Sequence, residues 1–144
     1  MTYETTNLQK NYAATLPCED TYNLANLHKL VLTIGVPPNI YGYSYIIRSI
    51  ELILNNPEYM HYITKGLYID VAKDFHATPS RVERSIRHAI NTAWTNNCND
   101  TFVNEIFQNC IRPNKKVPSN SVFLSRLYYY ITNNYQWLKD KEIS

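Results

Sequence analysis

Glycine is scarce in this chain, three in 144 residues, and no segment alternates apolar and polar residues between turn signals as a half-buried strand would. Those two absences exclude a sheet-based fold and leave an all-α reading. Cysteine is equally sparse: Cys18, Cys98 and Cys110 form no C-x-x-C pair and are odd in number, which argues against a disulfide framework and a structural zinc site. Long apolar runs are missing too. The stretches LVLTIGV and YSYII fall far short of the roughly 20 residues that a bilayer span needs, so no membrane partner is expected. The N-terminus carries neither the basic stretch nor the apolar one that opens a secretory signal, and a cytoplasmic, nucleoid-associated location is the expectation. A net charge of +2 is too small to identify a nucleic-acid partner by itself; local clustering has to decide. Metalloprotease, nucleophile-elbow, P-loop and dinucleotide fingerprints are all absent, and His28, His61, His76 and His88 have no metal-ligand spacing. The chain is therefore expected to be no enzyme and to need no cofactor or metal.

What is present is a composition, 44% hydrophobic and 18% charged, that suits one globular domain with its own core. Residues 1–22 are polar and aperiodic and are expected to form a flexible segment, with the domain occupying 23–144. Helical periodicity predicts elements over 23–34, closed by Gly35 and two prolines, and over 43–54, closed before Asn-Asn-Pro. Further helices are predicted over 64–75, with a turn of helix before it at 58–63, then over 79–95, 103–107 and 121–138.

The fourth predicted helix concentrates charge. At about 100° per residue, Val82, Ile86, Ala89, Ile90 and Ala93 share one face, and Ser80, Arg84, Arg87, His88 and Asn91 share the opposite one. Arg81 lies toward one edge and Glu83 on the shoulder of the apolar stripe. A solvated helix gains from opposite charges four residues apart; Glu83 can pair with Arg87, but Arg81 and Arg84 have no acid at that spacing. Two starts fit the local residues. Thr78 can cap the helix with Pro79 at its first position, which leaves Glu83 free to accept from a cytosine amino group; or Ser80 can cap it with Glu83 closing a capping box; the Thr-Pro start signal favours the first.

The preceding helix supplies the other half of a bihelical unit. Val71, Ala72, Phe75, Ala77 and Val82 stand where a helix-turn-helix needs apolar contacts, and small Ala72 allows close approach. His76 occupies the turn position where glycine is usual, and histidine is among the residues that tolerate positive φ. Ser85 falls where a more apolar residue would be usual.

The segments GVPPNIYGYSYI, ITKGLYIDVAKDF and above all SRVERSIRHAINTAW, together with VPSNSVFL, resemble the C-terminal effector domain of stage 0 sporulation protein A, from about Leu24 to the final helix. The resemblance implies a compact six-helix domain containing a helix-turn-helix, with its recognition helix at about 79–95 in the major groove of double-stranded DNA. It also implies tandem or paired copies on DNA as a homodimer, and a partner in RNA polymerase or a sigma factor. Matched by motif, Arg81, Glu83 and Arg84 would contact base edges, with Arg84 bidentate to a guanine; Ser80, Arg87 and His88 would lie at phosphates, and Lys65, Lys115 and Lys116 would be further backbone contacts. Arginine suits the O6 and N7 acceptors of guanine, while phosphates accept from almost any donor. Two features depart from the family pattern. The residues before Leu24 are too few for a receiver domain, so control by receiver phosphorylation is not expected; and Ile69 and Pro79 replace a proline and an alanine, both compatible with helix.

Two other clusters have plainer readings. Asp70 and Asp74 stand four apart without a third acid, which reads as a solvated face, and the aromatic residues around Tyr128, Tyr129, Tyr130, Tyr135 and Trp137 read as core packing with scattered surface tyrosine. Arg112, Lys115 and Lys116 form a basic loop before the last helix, either a second phosphate clamp or an ordinary solvated loop. The expected function is a sequence-specific DNA-binding transcription regulator. The alternatives are a receiver-less competitor for the same sites, or a protein-interaction module that modulates such a regulator or RNA polymerase.

Overall fold

Six α-helices and no strand make up the residues that the computed structural model describes, 24–97, 101–107 and 117–133. They are α1 (Leu24–Ile34), α2 (Tyr41–Asn55), α3 (Tyr68–Phe75), α4 (Pro79–Asn97), α5 (Thr101–Phe107) and α6 (Asn120–Asn133). A 3-10 turn (Pro57–His61) and a π turn (Ile63–Leu67) lead into α3. The all-α expectation holds and each predicted helix has its counterpart. The N-terminal segment, the three cysteines, Arg112, Lys115, Lys116, Tyr135 and Trp137 lie outside the described residues.

The stop after α1 is the one the sequence announces. Gly35 takes a φ of 111°, and the amides of Gly35 and Val36 donate back to Leu32 and Val31, which satisfies carbonyls that a helix end leaves open. α2 then runs through the middle of the domain, touching α1, α3, α4 and α6, and its Ile46, Ile50 and Ile53 are fully buried. Its closest approach to α4 depends on Gly42. A Cβ at that position would stand 2.3 Å from the Ser85 carbonyl oxygen and 2.6 Å from the Ala89 Cβ, so only glycine lets the two helices meet there. The small residue at position 85 fits the same contact: α2 meets α4 at the Ser85 backbone, with no bulky side chain between them.

α3 and α4 are joined by a tight turn. His76 sits at φ 54° and ψ 44°, the left-handed conformation that closes α3, and the Ala77 amide donates to the Ala72 carbonyl at 2.9 Å. Thr78 then caps α4, its Oγ1 accepting from the Arg81 amide at 3.1 Å, with Pro79 as first helical residue. Of the two starts open to the sequence, the Thr78 cap is the one formed. At the far end of α4 the same core continues through Trp94, Phe107 and Phe123, with Trp94 edge-on to Phe107 at 4.9 Å and Phe107 stacked on Phe123 at 5.4 Å. Along α6, Phe123, Leu124, Leu127 and Ile131 are buried, Tyr129 is exposed, and Tyr130 meets Phe102 edge-on.

Candidate nucleic-acid interface

The apolar stripe of α4 points inward without exception: Val82, Ile86, Ala89 and Ala93 are fully buried and Ile90 nearly so. That anchorage turns the polar residues outward. Ser80, Arg81, Arg84, Arg87, His88 and Asn91 are all exposed, and Glu83 is half-buried beside the stripe. Arg81 and Arg84 form no ion pair among the described residues, whereas Arg87 donates to the Glu83 carboxylate one turn earlier. The cationic face therefore divides into two uncommitted arginines at the start of the helix and one arginine held by its own glutamate.

Glu83 has a further tie through its backbone. Asn120, buried at the start of α6, donates from its amide nitrogen to the Glu83 carbonyl oxygen at 3.0 Å and to the Tyr68 hydroxyl at 3.0 Å. One side chain thus links α3, α4 and α6, and burial pushes the Tyr68 phenol above its ordinary value, against the opposing effect of the Asn120 hydrogen bond. Nothing in the sequence singles out Asn120 for this task beyond its place in the VPSNSVFL segment.

Beside Arg87 and Asn91 a cleft of ≈ 530 Å³ opens toward Thr64, Ser119 and Ser121. Ser119 caps α6, with the Val122 amide donating to its Oγ at 3.3 Å. Lys65 is exposed on the π turn and shares an adjoining hollow with Ser121, so it stands on the Arg87 flank of α4 and not on the Arg84 flank. Lys115 and Lys116 fall outside the described residues.

Asp70 and Asp74 do more than face water. Asp74 accepts from Arg48 of α2 at 2.7 Å, and Arg48 also reaches Glu51 at 3.3 Å, while Asp70 accepts from the Tyr59 hydroxyl and lies 4.0 Å from Lys73. Burial works against the Arg48 charge, but the Asp74 hydrogen bond and the charges of Asp74 and Glu51 outweigh it and raise the guanidinium above its ordinary value. For Glu51 burial wins, and its carboxyl is pushed up despite Arg48. This clasp between α2 and α3 escapes sequence reading because its partners are 26 positions apart. Among the described residues no three His, Cys, Asp or Glu side chains gather as a metal site would require, and no helix is long and apolar enough to cross a membrane.

Residues 27–131 match the family model described as Sporulation initiation factor Spo0A C terminal. The matched stretch takes in the whole of α2, α3, α4 and α5 and most of α1 and α6.

Proposed function

The chain belongs to this family of DNA-binding effector domains, which is not a family of enzymes, and from that premise we propose that it is a sequence-specific transcription regulator whose α3 and α4 act as a helix-turn-helix. α4 enters the major groove of a DNA duplex by its N-terminal turns. Arg81 and Arg84 read base edges there, Arg84 by a bidentate contact to guanine, and Glu83 accepts from a cytosine amino group once Arg87 turns from it to a phosphate. Ser80 and His88 donate to the sugar-phosphate backbone, and Lys65 does so from the flank beside the cleft. The observation that carries this reading is a pair of exposed arginines, unpaired among the described residues, on a helix whose opposite face is locked into the core. A surface evolved only for solubility gains by alternating sign, and this one leaves two cations open at the end that would meet DNA first.

The test is a titration of the protein against duplex bearing the family's site and against scrambled duplex, each at two salt concentrations. Tighter binding to the site, with affinity for both falling as salt rises, is the expected result. Equal, weak affinity for the two duplexes would overturn sequence-specific reading and favour a module that binds another protein.

A further inference from the structure

The opposite flank of α4 carries a second groove. Asn39, Ile40, Tyr41 and Gly42 face Arg84, Ser85 and His88 across an open hollow of ≈ 420 Å³. The hollow exists because Gly42 lets α2 come down on the Ser85 carbonyl, which sets the neighbouring Tyr41 beside the outer face of α4. Tyr41 is 73% exposed, so its ring is not there to fill the core. It is nonetheless held: it stacks on Tyr45 with centroids 6.3 Å apart, and Tyr45 is itself buried and edge-on to Phe75 at 5.1 Å. Among the described residues the Tyr41 hydroxyl has no hydrogen-bond partner.

The lining is chemically one-sided. Tyr41, Asn39, His88 and Arg84 line it together, and among the described residues no acid is part of the lining. Such a set suits an anion. A helix lying in the major groove has a sugar-phosphate strand on each side, and the cleft by Arg87 faces only one of them. We propose that Tyr41, with Asn39 and His88, grips the phosphodiester strand on the α2 side of α4, a reading that rests on the DNA-binding function above. Tyr41 and Asn39 are neutral donors, so they add affinity for any sequence without releasing counterions.

The experiment compares Tyr41→Phe and Asn39→Ala with the unaltered chain, by binding to the family's site and to scrambled duplex at several salt concentrations and by thermal melting. Each substitution is expected to weaken binding to both duplexes by about three- to tenfold, the worth of one hydrogen bond. The slope of affinity against salt and the melting temperature should stay where they were, while Arg87→Ala should reduce that slope by about one. Unchanged binding by both variants would abolish the clamp and leave the α4 reading standing. Loss confined to the specific duplex would make Tyr41 a base reader and overturn the phosphate assignment, and loss accompanied by a lower melting temperature would make its role structural. Failure of the unaltered chain to bind either duplex would remove the DNA reading and the clamp together.

Discussion

α3 and α4 meet at one turn and share one core, yet their charges are committed differently. On α3, Asp74 holds Arg48 and Asp70 holds the Tyr59 hydroxyl, so that both acids face partners within the domain. On α4, among the described residues, Arg81 and Arg84 face outward without an acid and Arg87 alone of the three is tied. The net charge of the chain hides this contrast, since +2 is the residue of many cancelling groups. What separates a binding surface from a solvated one is which cations the domain itself leaves unsatisfied.

The contrast collapses if the shared core does. Ile86→Ala removes a fully buried side chain beneath the exposed arginines of α4 and is expected to cost about 2–5 kcal/mol in denaturant unfolding, with DNA binding lost alongside. A loss below about 1 kcal/mol would mean that α4 is not anchored by this stripe. The sharper comparison sets two arginines against each other. Arg48→Met removes from beside Glu51 and Asp74 a guanidinium only 18% exposed, and should cost about 1–3 kcal/mol of stability while sparing DNA discrimination. Arg84→Ala should do the reverse, leaving stability within about 0.5 kcal/mol and costing about 1–3 kcal/mol of binding with relaxed preference at one base pair. If Arg84→Ala weakened all sequences equally, its role as a base reader would be wrong. Asn120→Ala falls between these, since it removes two hydrogen bonds from a buried position that orients α4; about 1–2 kcal/mol of stability is expected to go, read from the shift in denaturation midpoint.

Much of this architecture could be read from the sequence because its signals are local. The apolar stripe of α4, the Thr78-Pro79 start and the Gly35 stop each depend on neighbours within one or two turns, and the outward direction of Arg81 and Arg84 follows from the inward direction of Val82 and Ile86. His76 was legible for the same reason, as a residue type that accepts the left-handed turn. The preference for Thr78 over Ser80 as cap rested on the Thr-Pro pair alone, since both residues satisfy local rules, and the formed hydrogen bond bears it out. Contacts between distant segments were invisible: Gly42 against Ser85, Asn120 against Glu83, and Arg48 against Asp74. A glycine inside a helical pattern is the one signal that could have pointed to the first of these, since such a residue usually has a packing reason.

The α2–α3 clasp should also be recognisable by its response to pH. Burial raises the Glu51 carboxyl above the ordinary glutamate value of 4.5, and Arg48 only partly offsets that cost. Between the ordinary value and the raised one, the folded chain therefore retains a proton that the unfolded chain has released. Binding more protons in the folded state makes stability fall as pH rises through that window and level off above it. Glu51→Gln keeps a neutral side chain of similar shape in place at every pH, so it should remove this slope while leaving Arg48 its bond to Asp74. Denaturation midpoints followed upward from pH 4.5 would display the difference as a decline in the unaltered chain that the variant lacks. An identical decline in both would assign the pH dependence to another group and would show that Glu51 is ionised in the clasp without cost.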